Sequence, residues 1–417
     1  MDALRIVGGR LLKGGIQVSG SKNASLPILA AALLAEGKST LRGAPDLADV
    51  RTLAELLAHT GARVERGKDG VTIDANAVER PEAPYDLVRT MRASFLLLGP
   101  LLARFGRARV SLPGGCAIGA RPVDQHLKGL ARLGADIHIE HGYVEARAAK
   151  LTGAEVVFDM PTVGGTEHLM LAASRARGVS VLRNAAQEPE VVDLARALSA
   201  MGARIDGAGS EVIAVHGSDS LRPFDHRVIP DRIEFGTFLV AGAMAGDPLT
   251  ITGGEPEHQA VLMDKLRESG AGIEMSGSGV RVSRPARARA VDVHTAPYPG
   301  FPTDMQAQLM AMLTVAQGTS MIAETIFENR FMHVAELDRL GASIRVEGGR
   351  AIVHGVERLS GSTVMATDLR ASACLVLAGL VADGETVVRR IYHLDRGYER
   401  LGEKLGAVGA HIERFKE

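Results

Sequence analysis

Tryptophan is absent from this 417-residue chain, aromatic residues make up 4% of it, and it has two cysteines. So few rings leave no stacking platform for single-stranded nucleic acid. Cys116 and Cys374 cannot build a disulfide framework and fit a reducing compartment. An excess of either charge is missing too. The formal net charge is -1, so no bulk field draws the chain to nucleic acid or a membrane surface. Apolar runs such as Pro27 to Ala35 and Phe95 to Ala103 fall short of the roughly 20 residues that span a bilayer. The opening Met-Asp-Ala-Leu-Arg-Ile-Val has no signal-peptide apolar region. What is present is 46% hydrophobic residues, ample for large cores. The composition predicts a soluble, cytoplasmic protein of two or three domains.

A fixed-period repeat organises the chain. A Gly-Ala pair followed two places on by a branched apolar residue recurs at Gly61, Gly134, Gly202, Gly270, Gly341 and Gly409. The steps between these glycines are 73, 68, 68, 71 and 68 residues, by subtraction. Each repeat reads alike. An apolar first helix is expected over Ser25 to Ala35, Ser94 to Phe105, Glu167 to Ala176, Phe235 to Ala245, Met305 to Ala316 and Ala371 to Ala382. A glycine stops each one: Gly37, Gly106, Gly178, Gly246, Gly318 and Gly384. A strand, an amphipathic second helix and two more strands complete the unit. The repeat also disposes of Gly37-Lys38-Ser39 as a phosphate loop: it precedes a strand, and position 32 is Ala32 rather than glycine. First helices apolar on nearly every face are buried helices. Three per lobe, wrapped by short sheets, predict two similar lobes meeting near Val228 to Asp231.

The uncommon polar residues gather at equivalent helix starts. Lys22-Asn23, Arg92, Thr162-Val163, Asp231, Asp304 and Asp368 to Arg370 stand at first-helix starts. Cys116 to Asp124, Glu188 to Glu190, Glu328 to Arg330 and His393 to Arg396 stand at second-helix starts. Free N–H groups and partial positive charge there attract anions. Lys22, Arg92, Arg121, Arg330, Arg370 and Arg396 add cationic side chains, which suit phosphate and carboxylate. The loop from Leu112 to His126 carries Gly114, Gly115 and Gly119 around Cys116, beside Arg121. A thiol there suits proton or nucleophile chemistry on an anionic substrate. Plainer readings stand beside these. Asp231 and Asp368 suit helix caps, Glu188 a first-turn dipole partner, and Arg330 and Arg370 ion pairs that close the lobes. His126, His333 and His393 lack metal spacing, and no carboxylate cluster calls for an ion, so neither metal nor cofactor is expected.

Nine segments in order resemble the enolpyruvyl transferase family, in its UDP-N-acetylglucosamine 1-carboxyvinyltransferase branch. They are Gly20–Pro27, Thr90–Ser94, Leu112–His126, Asn184–Glu190, Pro230–Glu234, Phe301–Gln308, Glu328–His333, Ala366–Ser372 and His393–Arg400. The resemblance covers the whole chain. It implies a two-lobed inside-out α/β barrel of six βαβαββ-like repeats, three per lobe. Residues 22–229 would form the lobe carrying the Cys116 loop. Residues 230–417 would form the second, joined by an N-terminal strand in 1–21. The implied reaction moves the enolpyruvyl group of phosphoenolpyruvate to the 3'-hydroxyl of UDP-N-acetylglucosamine, in early peptidoglycan synthesis. It runs by addition and elimination through a tetrahedral intermediate, releasing phosphate.

By the resemblance, Cys116 donates the proton and can form a covalent adduct, which makes it the target of the epoxide fosfomycin. Asp304 is the base. Lys22, Asn23, Arg121, Arg330, Arg370 and Arg396 bind phosphoenolpyruvate, with Lys22 and Arg396 also acting in the chemistry. Asn23, Arg92, Arg121, Pro122, Val123, Asp124, Gln125, Met160, Pro161, Thr162, Val163, Asp304 and Ile326 fall at nucleotide-sugar positions. Two positions depart from the pattern. Met160 stands where some members have lysine, and Gln125 where an apolar residue is common. The rival readings are the sister transferase acting on shikimate 3-phosphate and a non-catalytic binder of UDP-sugars.

Overall fold

Each of the six Gly-Ala steps lands at one structural position. Gly61, Gly134, Gly202, Gly270, Gly341 and Gly409 have φ between 89° and 109°, a left-handed conformation that glycine adopts without a Cβ clash. They follow the second helices Ala48–His59, Asp124–Arg132, Pro189–Ala200, Ala260–Glu268, Val334–Arg339 and Leu401–Ala407. The glycines after the first helices behave alike with one exception. Gly246 has φ -71° and opens the strand Gly246–Thr252, so its helix runs directly into the sheet. A Cβ there would lie 2.6 Å from the carbonyl oxygens of Gly242 and Val282, so close approach rather than a turn requires glycine.

Four of the first helices begin earlier than their apolar pattern predicts, and the other two do so once a leading 3-10 turn is included. The six are Lys22–Ala31, Leu98–Phe105, Val163–Ala173, Arg232–Ala245, Gln306–Leu313 and Leu369–Val381. Two are preceded by 3-10 turns, Arg92–Leu97 and Thr303–Met305. Polar caps set four of the starts. Ser21 accepts from the Ala24 amide and Thr162 from the Gly165 amide, each at 3.2 Å. Asp231 accepts from Ile233 and Glu234 at 2.9 and 3.0 Å, and Asp368 from Arg370 and Ala371 at 2.8 and 3.0 Å.

The computed structural model describes residues 2–114, 123–277 and 279–417. They divide into two units, each with its own hydrophobic core: residues 2–19 with 230–417, and residues 20–114 with 123–229. In each unit three first helices lie inside and three four-stranded sheets lie against them. Each sheet is open; among the described residues no strand ladder closes on itself. The barrel is inside-out in that sense, with helices for its core.

Each sheet takes one short edge strand, paired in parallel, from a neighbouring repeat. Asp225–Arg227, late in its unit, pairs with Lys38–Arg42 near its beginning and so ties the third repeat to the first. The other unit is tied by the N-terminus. Asp2–Val7 lies between Glu385–Arg389 and His411–Lys416, antiparallel to both, with Leu4 opposite Val388 and Arg414. The last repeat ends after two strands of its own, and the N-terminal strand supplies the missing one. Leu12–Gln17 then becomes the parallel edge of the next sheet, on Gly246–Thr252. No helix among the described residues is long and apolar enough to cross a membrane.

Candidate active site

In the unit formed by residues 2–19 and 230–417, two first-helix starts and the stretch before a second helix bring three predicted residues together. Asp304 lies in the 3-10 turn Thr303–Met305. Arg330 Nη2 donates to its Oδ1 at 2.7 Å. Arg370 donates to its Oδ2 from Nε at 3.0 Å and from Nη2 at 2.8 Å. Both arginine side chains are 5% exposed, while 28% of the Asp304 side chain remains open. Burial works against ionisation of Asp304, but the charges of Arg370 and Arg330 outweigh it and hold the carboxyl well below the usual range. The expectation that Arg330 and Arg370 form ion pairs is met in altered form: both pairs are internal to one unit and share one carboxylate. Arg370 Nη1 is buried without a hydrogen-bond partner among the described residues.

Uncharged groups next to Arg370 lock two helices to the stretch between Arg396 and Leu401. Gln308 Nε2 donates to the Tyr398 hydroxyl at 3.0 Å and to Thr237 Oγ1 at 3.2 Å, and the two hydroxyls are 3.0 Å apart. The Arg370 guanidinium lies 5.4 Å from the centre of the Tyr398 ring. Arg396 ends the 3-10 turn Ile391–Arg396. Burial first, and then the Arg396 charge, lower the pKa of His393 beside it. A hollow of about 320 Å³ in the same unit, among Met244, Met312, Val315 and Leu380, lies at the opposite helix ends and is no part of this site.

The unit formed by residues 20–114 and 123–229 carries the nucleotide-sugar candidates other than Asp304 and Ile326, so far as they are described. Lys22 is the first residue of its helix, capped by Ser21, and its Nζ donates to Asp49 Oδ2 at 3.2 Å with both side chains buried. Asn23 follows it, and Arg92 opens its 3-10 turn. The two departures from the family pattern prove to be neighbours. Gln125 Oε1 accepts from the Asp159 amide at 2.9 Å, and its Nε2 donates to the Met160 carbonyl at 3.4 Å. Lys128 reaches the same turn, 3.0 Å from Asp159 and 3.6 Å from Asp124. The turn leads through exposed Pro161 to the cap Thr162 and to Val163, while Val123 is the N-cap residue of the helix that Asp124 begins.

One turn into Asp124–Arg132, His126 Nδ1 lies 3.0 Å from His168 Nδ1. One ring must donate and the other accept, so at least one is neutral. Burial first, and then His126, push the pKa of the fully buried His168 well below its ordinary value. Phe95 stands edge-on to both rings, 5.6 and 5.8 Å away. Gly99 makes room: a Cβ there would lie 2.7 Å from His168 Cδ2. The pair fixes the helix that follows the Cys116 loop. Next to His168, burial first and then the carboxylates of Glu190 and Glu188 push the Glu167 carboxyl well above its usual range.

Cys116, Arg121 and Pro122 lie outside the described residues. The other thiol, Cys374, is fully buried in Leu369–Val381, and burial pushes its pKa up, as befits an inert core cysteine. Sequence reasoning passed over Asp49, His168 and Glu324. An acidic residue in a first helical turn, a histidine on an apolar helix and a glutamate after a strand carry no signal until their partners are known.

The family described as EPSP synthase (3-phosphoshikimate 1-carboxyvinyltransferase) matches residues 6–405. The chain is 60% identical to a UDP-N-acetylglucosamine 1-carboxyvinyltransferase from Anaeromyxobacter sp. (strain Fw109-5), over 100% of both chains. It is 58% identical to the enzyme of the same name from Myxococcus xanthus (strain DK1622), again over 100% of both. Among solved structures, the enolpyruvyl transferase NikO from Streptomyces tendae superposes with a TM-score of 0.89 at 31% identity, covering 99% of this chain and 98% of that one. An EPSP synthase from Acinetobacter baumannii shares the fold alone, with a TM-score of 0.76 at 19% identity over 100% of both chains.

Proposed function

This chain belongs to the enolpyruvyl transferase family, and from that premise we propose that it transfers the enolpyruvyl group of phosphoenolpyruvate to the 3'-hydroxyl of UDP-N-acetylglucosamine. The observation that carries the choice of acceptor is identity of 57–60% along the whole length to enzymes named for that sugar nucleotide. The rival acceptor, shikimate 3-phosphate, has only the shared family and a 19% likeness behind it. The reading places the reaction in the cytoplasm, at the committed step of peptidoglycan synthesis.

In the addition step, the 3'-oxygen bonds to C2 of phosphoenolpyruvate while a proton reaches C3, giving a tetrahedral intermediate. Loss of a proton from the new methyl group then expels phosphate and restores the double bond. We assign Cys116 to the proton at C3; an ordinary thiol, with a pKa near 8.5, is protonated at neutral pH. Its thiol is also the group that fosfomycin would alkylate. We assign Asp304 to the 3'-hydroxyl proton. Lys22, Arg121, Arg330, Arg370 and Arg396 hold phosphate and carboxylate, with Asn23 beside them. Gln125, by ordering the Asp159–Met160 turn, presents backbone groups where some members have a lysine.

The clamp on Asp304 gives this assignment a sequence of events. Held by two guanidiniums, the carboxylate is a weak base. An arriving phosphoenolpyruvate competes for the same guanidiniums, and each contact it draws away makes Asp304 more basic. The base therefore gains strength when the second substrate is present. The test is to offer the chain phosphoenolpyruvate with either acceptor and weigh the products. UDP-N-acetylglucosamine is expected to gain one carboxyvinyl group and shikimate 3-phosphate to remain unchanged. The opposite outcome overturns the reading, and binding of the sugar nucleotide without transfer points to the non-catalytic alternative.

A further inference from the structure

We propose that Glu324 is a positioning residue that sets Asp304 and the Ile326 turn in register for the acceptor. The inference rests on the reading of Asp304 and Ile326 as acceptor-side residues. Glu324 follows the strand Thr319–Ala323 and is 6% exposed. Its carboxylate accepts four hydrogen bonds from three separate stretches of chain. Oε1 accepts from Thr295 Oγ1 at 3.0 Å and from the amides of Ile326 and Phe327 at 2.8 and 3.2 Å. Oε2 accepts from Thr303 Oγ1 at 2.8 Å. Thr295 is itself held: its hydroxyl accepts from the Thr325 amide at 3.0 Å, and its carbonyl from Thr325 Oγ1 at 2.6 Å. The Glu324 amide donates to the Gly349 carbonyl at 2.8 Å, which seats the residue at its own backbone.

The chemistry of this cradle is particular. Every partner is an uncharged donor, and among the described residues no lysine or arginine pairs with Glu324. Burying a carboxylate without a counter-ion is costly, and only a full set of donors offsets the cost. A turn that needed closing and nothing more could use backbone or an amide side chain. A carboxylate instead offers acceptors on both oxygens, and here they are split. One oxygen gathers the amides of Ile326 and Phe327. The other takes the hydroxyl of Thr303, the residue immediately before Asp304. One rigid planar group thus spans the base and the nucleotide-side turn. An amide in its place would turn a donor toward one of the two sides.

The test uses Glu324→Gln and Thr303→Val in the full chain. Calorimetric binding of UDP-N-acetylglucosamine is expected to weaken about tenfold in E324Q, because the Ile326 turn loses its register. In turnover, the KM for the sugar nucleotide is expected to rise and kcat to fall, each by about tenfold, with the KM for phosphoenolpyruvate within twofold of wild type. T303V removes only the Asp304-side bond, so it is expected to lower kcat several-fold and leave sugar-nucleotide binding close to wild type. A folded E324Q with wild-type binding and rates overturns the proposal. So does one in which both KM values move alike, the mark of a general loss of structure. Should E324Q fail to fold, T303V at the wild-type rate overturns it. Failure of the underlying reaction looks different: the wild type binds the sugar nucleotide yet releases no phosphate. Weaker binding by E324Q would still support the positioning role in that case, and equal binding would overturn it.

Discussion

At the helix starts of one unit, Asp304 sits between two buried guanidiniums and stays ionised. In the other unit Glu167, on the first helix of another repeat, has Glu188 and Glu190 for neighbours, and burial and their charges push its carboxyl well above the usual range. Both carboxyls belong to the same architecture and burial acts on both in the same direction. The sign of the neighbouring charge decides the outcome: two arginines overcome desolvation, while two carboxylates add to it. Beside Glu167, burial and His126 push the pKa of His168 well below its ordinary value. One unit thus has a charged helix start, fixed by pairing. The other anchors the helix after the Cys116 loop on a histidine contact in which at least one ring is neutral.

Neutralising each carboxyl should then have opposite consequences. The largest effect belongs to Asp304→Asn. On the proposed assignment of Asp304 as the base, kcat is expected to fall by roughly 10²- to 10⁴-fold. Stability should fall by about 2–3 kcal/mol in denaturant unfolding, less than for a fully buried pair because 28% of the Asp304 side chain is open. Asp304 stabilises the fold above the ordinary carboxyl range, and that contribution disappears as pH falls through its depressed pKa. A D304N variant as stable as wild type at neutral pH would erase the contrast.

Glu234 sharpens the comparison, because it is buried like Glu167 but has a cation like Asp304. Burial outweighs Lys404, 2.7 Å away, and pushes its carboxyl up to about 7. A raised carboxyl stabilises the native state fully below the unfolded value of 4.5 and loses that contribution as pH rises to about 7. The loss is on the order of 3 kcal/mol. Unfolding midpoints measured across this window should decline in wild type, and the decline should be shallower in Glu234→Gln. For Glu167→Gln the sign is opposite to that of D304N. Stability should match wild type near pH 4 and exceed it at pH 8, where the wild type must hold a proton that its unfolded chain has released. An E167Q variant that is less stable at pH 8 would contradict the assignment. Smallest are the caps: Asp368→Ala, losing two amide contacts, and Thr162→Ala, losing one, should each cost about 1 kcal/mol, the aspartate more.

The repeat was legible in the sequence because a left-handed glycine after each second helix leaves a mark at fixed spacing. The family resemblance followed from segments spread along the whole chain. Helix starts were misplaced by two to four residues because apolar periodicity cannot see Ser21, Thr162, Asp231 and Asp368 capping ahead of it. Gly246 shows the same limit, since a close backbone approach and a left-handed turn both select glycine. In the candidate site, Asp304, Arg330 and Arg370 could be named singly, but nothing in the sequence showed that one carboxylate holds both arginines. Asp49, His168 and Glu324 act on partners 27, 42 and up to 29 residues away, which only the fold brings near.

The central claim is acceptor-dependent enolpyruvyl transfer, and its most direct measurement is inorganic phosphate released from phosphoenolpyruvate with and without UDP-N-acetylglucosamine. One phosphate for each sugar nucleotide consumed, and none when the sugar nucleotide is omitted, is the predicted result. Phosphate released at the same rate without the acceptor, or none released in its presence, would contradict it.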